Sequence, residues 1–210
     1  MGTDHQPAID ANDHAQRKVL LWVLVLNAGL GVTLLIGGLA SDSSSLIANS
    51  LDNFSDAVAY AVSFLAVTRG ARWKAAAAAI TGVMLLLLAG GVIVDALRRF
   101  VSGSEPLGMS MMMLAAVAVA INVLCVKLLR SHRGEDVNLR AAWTMSLNDF
   151  VSNFGIFAAG GLVLVVGSNW PDLAVAFCIA LVAVYGGIST LRDAAQTQRA
   201  ASSNKGHAHD

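Results

Sequence analysis

A chain of 210 residues that is 56% hydrophobic and 13% charged, with a mean hydropathy of +0.63, is too apolar for a soluble domain of its size and has the make-up of a helical membrane protein. Its 14 Lys and Arg are balanced by 14 Asp and Glu, so no excess of basic charge points to nucleic acid. Cys125 and Cys178 both fall in apolar runs without a CxxC partner and do not read as a disulfide framework.

Residues 1–17 form a polar N-terminal segment, followed by a first apolar run at Lys18–Ala40. That run is longer than the roughly 7–15-residue core of a signal peptide and a polar segment precedes it, so the reading is a retained span. Five more runs follow at Leu46–Thr68, Ala75–Leu97, Met109–Arg130, Ala141–Val166 and Pro171–Arg192. Each has about the 20 helical residues that a hydrocarbon core of roughly 30 Å requires. SDSSS, RGARWK, SGSEP, SHRGEDVN and GSNWPD punctuate them. The expected fold is therefore all-α, a bundle of six transmembrane helices over 18–192, with 193–210 a short, disordered cytoplasmic tail. Every Lys and Arg except Arg98 and Arg99 falls on the side of the termini, so the positive-inside rule places both termini in the cytoplasm.

Within the runs, three acids stand out. A charged Asp at the centre of a membrane helix costs about 2.5 to 3.5 kcal/mol, yet Asp52 and Asp56 share the second run and Asp149 lies in the fifth. Asn49, Asp52 and Asp56 are spaced i, i+3, i+7, which puts them on one helical face, with the two carboxylates able to converge on one ion. Met145, Asp149 and Asn153 repeat every four residues along the fifth span; Asp56 lies near the middle of its span and Asp149 about one turn (~6 Å) from the middle of its own, which leaves a shared site open. Asn153 serves equally as a ligand or as an interhelical hydrogen-bonding group, whereas Asn148, one position round, favours the latter.

Other features carry less. Asn27 and Asn122, inside the first and fourth spans, suit either helix–helix hydrogen bonds or a translocation path. Asp95 has Arg98 and Arg99 at i+3 and i+4, the spacing of a local ion pair. Pro171-Asp172 reads as a helix start. Gly82, Gly90-Gly91, Gly160-Gly161 and Gly186-Gly187 permit close helix packing or bending. Met109 and Met111–Met113 read as apolar filler, His5, His14 and His132 as solvated residues, and GHAHD as part of the disordered end.

The stretches SSSLIANSLDNFSDAVAY and NLRAAWTMSLNDFVSNFGI, in this order and in the second and fifth spans, resemble the two signatures of the cation diffusion facilitators. That six-helix family exports zinc and related divalent metals. The resemblance covers Leu20 to about Ala194 and implies Asp52 and Asp56 as the metal-binding pair of the second helix, with Asp149 at the acid position of the fifth. Met145 stands where the family usually has His, and Asn49 where an Asp often precedes the pair. Three carboxylates with Asn153, Met145 or water make a harder site than one containing an imidazole, so Mn²⁺, Fe²⁺ or Co²⁺ join Zn²⁺ and Cd²⁺ as cargo.

The resemblance implies proton-coupled export from the cytoplasm; with no histidine ligand, the aspartates themselves are the expected proton carriers, no cofactor is expected, and the expected location is a prokaryotic inner membrane. The family's cytoplasmic metal-sensing domain has no counterpart in residues 193–210, so a homodimer is expected to rely on transmembrane contacts. The expected partners are divalent metal ions, protons and the lipid bilayer. Two alternatives stand beside transport: a membrane scaffold or regulator on the same fold, and a metal-dependent membrane phosphotransferase. The second lacks the upstream DxxDGxxAR half that such enzymes carry.

Overall fold

The computed structural model describes residues 11–66, 71–130 and 137–206. They form six helices and, among the described residues, no strand: α1 Ala11–Ala40, α2 Ser44–Ala66, α3 Ala71–Ser102, α4 Gly108–Arg130, α5 Val137–Val166 and α6 Trp170–Gly206. With no water in lipid to satisfy backbone groups, a helix is the conformation that closes its own hydrogen bonds, which is why glycine-rich and β-branched apolar runs are helical here.

Among the described residues, five of the helices are long and apolar enough to cross a membrane, and α2 is not one of them. The expectation of six apolar spans is met by six helices, but the second differs in kind. α2 packs against α1, α3, α5 and α6. No large apolar side chain is exposed among its described residues, whereas Leu87 of α3, Val101 of α3 and Tyr185 of α6 are more than 70% exposed. Because neighbouring helices replace lipid around α2, its surface can be polar. α3 pairs most extensively with α6, α4 with α5, and α1 with α2.

Small residues set the closest crossings. A Cβ on Gly160 of α5 would meet the Gly108 carbonyl of α4 at 2.8 Å, so the two backbones touch where side chains would otherwise hold them apart. Gly82 of α3 and Gly187 of α6 form a second such crossing, each Cβ position lying 3.1 Å from the other's carbonyl oxygen. Gly90, Gly91 and Gly186 face open space, so of the packing or bending that the glycines permit, close packing is seen at Gly82, Gly160 and Gly187.

The helices also overrun the expected spans. α1 begins at Ala11, α5 at Val137, and α6 continues past Arg192 to Gly206. The segment 193–210, expected to be disordered, is thus helical through Gly206. Hydropathy marks where lipid is, while the Ala- and Gln-containing DAAQTQRAA stretch favours helix wherever it lies. His5, His132 and GHAHD after Gly206 lie outside the described residues.

Candidate metal site

The site-bearing helix α2 is anchored at its start. α1 ends in a reversal in which Ser43 N donates to Gly38 O at 2.9 Å and Asp42 takes the left-handed conformation (φ 53°), a Schellman-type stop in which Asp fills the usual glycine position. Ser43 then caps α2, accepting from Leu46 N at 3.3 Å. The remaining amides of the first turn are taken by a residue far along the chain. Asp172 of α6 accepts from Ser44 N (2.8 Å), Ser45 N (3.1 Å), Ser43 Oγ (2.7 Å) and Ser45 Oγ (2.5 Å). A fully buried carboxylate therefore sits against the positive end of the α2 dipole. The sequence reading of Pro171-Asp172 as a helix start is correct, but the acid caps another helix as well.

Beside it, Asp95 forms the expected local pair with Arg99 (Nε to Oδ2, 2.7 Å) and a longer one with Arg98 (3.4 Å). Arg99 also reaches across to Asp42, pairing with its carboxylate and donating to its carbonyl at 2.9 Å. Ser44 Oγ donates to Asp95 at 2.9 Å. α1, α2, α3 and α6 are thereby tied together at the end of the bundle where α2 starts.

From the second turn of α2 onward, the buried face reads Asn49, Asn53, Asp56, Tyr60, the i, i+4, i+7, i+11 pattern of one helical stripe. Asn49 Nδ2 donates to Asn153 Oδ1 of α5 at 2.7 Å, the direct polar bridge between the two site helices. Asn153 Nδ2 donates to the Asp149 carbonyl (2.8 Å), and Asn53 Nδ2 to the Asn49 carbonyl (2.8 Å). Asn153 thus has the interhelical bonding role in this conformation, and its amide orients the turn that carries Asp149. Asp56 and Asp149 are both buried, and each has one carboxylate oxygen, Oδ2, with no partner. Asp52 lies a notch round the helix. It is half-buried and lines, with Ser55, Val92 and Ile179, a cavity of about 10 Å³ between α2, α3 and α6, room for about one water molecule. Asp149 is within electrostatic range of both Asp52 and Asp56.

The sequence-derived set is therefore partly assembled. Asn49, Asp56, Asp149 and Asn153 share the α2–α5 interface, with Asp52 at its edge. Among the described residues, no three His, Cys, Asp or Glu side chains are gathered closely enough to form a finished ligand cage. The Met145 backbone is helical one turn before Asp149, but its side chain and that of Asn148 lie outside the described residues.

The setting of these groups is a polar layer between two apolar clusters. One cluster contains Leu30, Leu34, Leu46, Ala48, Met111, Ala118 and Ile156; the other is Val23, Tyr60, Cys125 and Leu129. Asn27 falls between Val23 and Leu30 on α1, and Asn53 and Asp56 between Ala48 and Tyr60 on α2. Asn122 falls between Ala118 and Cys125 on α4, and Asp149 and Asn153 just before Ile156 on α5. Among the described residues, the buried side-chain atoms without a partner all belong to this region: Asn27 Oδ1, Asn49 Oδ1, Asn53 Oδ1, Asp56 Oδ2, Asn122 Nδ2 and Asp149 Oδ2. Native interiors rarely leave such atoms unsatisfied, and each costs about 1–3 kcal/mol, so a cluster of them marks a place built for something polar to occupy. Asn53 was not singled out by sequence, although its spacing of four from Asn49 carried the signal.

A family model, the cation efflux transmembrane domain, matches residues 20–197. A cadmium, cobalt and zinc/H(+)-K(+) antiporter of Bacillus velezensis is 25% identical over 207 residues, covering 92% of this chain and 65% of that protein. The metal cation efflux system protein CzcD of Cupriavidus metallidurans is 23% identical, covering 86% of this chain and 60% of its own length. A zinc transporter, ZitB, of Yersinia pestis is 29% identical over 165 residues, 71% of this chain and 52% of that transporter. The chain thus spans less than two thirds of the length of these relatives.

Proposed function

The chain belongs to the cation efflux family through its transmembrane domain, and from that premise we propose that it carries divalent transition-metal ions out of the cytoplasm in exchange for protons. It is an integral, multi-pass inner-membrane protein. Its relatives are antiporters and transporters, not enzymes, which removes the phosphotransferase alternative.

The observation that carries the reading is the pair of buried, unpartnered carboxylate oxygens of Asp56 and Asp149 on packed helices, with Asp52 in electrostatic range. Three ionised acids in a low-dielectric interior repel one another and are poorly solvated. A divalent cation cancels two of the three charges, so the loaded site is far less costly than the empty ionised one. Protons cancel the same charges by another route. A site that accepts either a metal ion or protons, alternately from the two sides, couples their movements in opposite directions. Asp52, Asp56 and Asp149 are the ligands and proton carriers in this scheme; Asn49 and Asn153 fix the spacing of α2 and α5, with Asn49 Oδ1 and the remaining acceptor capacity of Asn153 available to the ion. The basic residues flanking the spans support an orientation with both termini in the cytoplasm.

The relatives' names include zinc, cobalt and cadmium. An oxygen-rich set without histidine extends the range toward Mn²⁺ and Fe²⁺. The test is metal uptake into vesicles reconstituted with the purified chain, under an imposed pH gradient, with an internal metal dye and a pH dye read together. Wild type moves metal and protons in opposite directions. Asp56→Asn and Asp149→Asn each abolish both signals while the protein still inserts. Undiminished uptake by either variant refutes the assignment.

A further inference from the structure

The polar layer reaches beyond the two helices that carry the acids. Asn27 of α1 and Asn122 of α4 are each 1% exposed and, like Asp56 on α2, each falls along its helix between members of the two apolar clusters. Neither is explained by helix–helix bonding. Asn27 spends its Nδ2 on its own helix, donating to Val23 O at 2.9 Å, and its Oδ1 has no partner. Asn122 leaves its Nδ2 unpartnered. One helix thus offers a free acceptor and the other a free donor, in the layer where two carboxylate oxygens are also free.

A divalent ion in this layer is short of direct ligands, because the acids are not drawn together into a cage and come from only two of the four helices around the layer. Water completes such a coordination shell. Metal-bound water in a buried site needs two to four polar partners of its own, and an amide, with both an acceptor and donors, can serve water in either orientation. The apolar clusters on both sides leave few other polar groups for that purpose.

We propose that Asn27 and Asn122 hold the water shell of the transported cation opposite Asp56 and Asp149, and thereby help set which divalent ion is carried. This rests on the transport reading above. Ions that keep several waters and six oxygen ligands, such as Mn²⁺ and Co²⁺, depend on the two amides more than Zn²⁺, which settles readily into four-coordination.

The experiment compares wild type, Asn27→Leu, Asn122→Leu and the double variant in reconstituted vesicles with Mn²⁺, Co²⁺, Zn²⁺ and Cd²⁺, and records the melting temperature of each purified protein. Loss of an outer-shell partner lowers metal affinity about 10–100-fold. The expected result is a Mn²⁺ and Co²⁺ apparent affinity reduced at least tenfold, with Zn²⁺ reduced less. Melting temperature should stay unchanged or rise, because leucine removes an unsatisfied amide from an apolar surrounding. Unchanged affinities for all four ions overturn the proposal while leaving transport intact. A uniform loss across the ions with a lowered melting temperature also overturns it, since that is the signature of a packing role. Wild type that moves none of the ions refutes the transport reading itself, and this inference with it.

Discussion

Removing the Asp172 carboxylate tests how strongly α6 fixes the start of α2. In Asp172→Ala, four donors lose their acceptor: the amides of Ser44 and Ser45 and the hydroxyls of Ser43 and Ser45. The hydroxyls can rotate to other acceptors, whereas the amides point along the helix axis and cannot. Two bonds from N–H groups to a charged acceptor contribute about 1.5 kcal/mol each, and an anion at a helix N-terminus about 0.5–1 kcal/mol. The sum is roughly 3–4 kcal/mol. For a chain of this length each kcal/mol moves the unfolding midpoint by about 2–4 °C, so the midpoint in detergent falls by roughly 6–16 °C. Asp172→Asn retains one acceptor oxygen and should lose about half as much. Asp193→Ala, at an exposed position of α6, is the control and stays within about 0.5 kcal/mol of wild type. Differential scanning fluorimetry or circular dichroism on matched micelles measures all three. A midpoint for Asp172→Ala within about 2 °C of wild type refutes the cross-helix cap, because a buried backbone amide left without its acceptor costs about 1–3 kcal/mol.

Arg99→Gln breaks the link between Asp95 and Asp42 and lowers stability by about 1–2 kcal/mol, less than a fully buried pair because Asp42 is half-exposed; the same melting assay reads it. Gly160→Leu forces the α4–α5 backbones apart and costs about 1–3 kcal/mol, while Gly90→Ala, in open space on α3, stabilises by about 0.5–1 kcal/mol; comparing their melting temperatures separates the two glycine roles. Met145→His adds an imidazole one turn before Asp149 and shifts the flux ratio toward Zn²⁺ over Mn²⁺; an unchanged ratio in the vesicle assay removes position 145 from the metal's surroundings.

How much of this was legible in the sequence depends on the range of each interaction. Periodicity along one helix is a local property, so Asn49 and Asp56 on one face of α2 and the Asp95–Arg99 pair are legible directly, whereas the third buried member of that face is Asn53 and not Asp52. The distinct character of α2 was visible only as polar residues in an apolar run; that its neighbours enclose it required the packing. Asp172 and the serines at 43–45 are about 130 positions apart in sequence, and no spacing rule connects them. Asn27 and Asn122 were read as equally suited to bonding helices or to a path, and the choice turned on which of their atoms lack partners, a property of four helices together. The end of α6 was misjudged because hydropathy reports the lipid boundary, not the helix boundary.

The absence of large lipid-facing side chains from the described part of α2 bears on how the protein is made. A segment with two aspartates and two asparagines has little tendency to leave the insertion machinery sideways on its own, since each central acid opposes that step by about 2.5 to 3.5 kcal/mol. Its neighbours in the chain, α1 and α3, are strongly apolar, and α1 is its most extensive contact. A nascent chain released before α3 has emerged should therefore leave α2 in water, where a glycosylation tag placed beyond Ala66 would report the missed crossing.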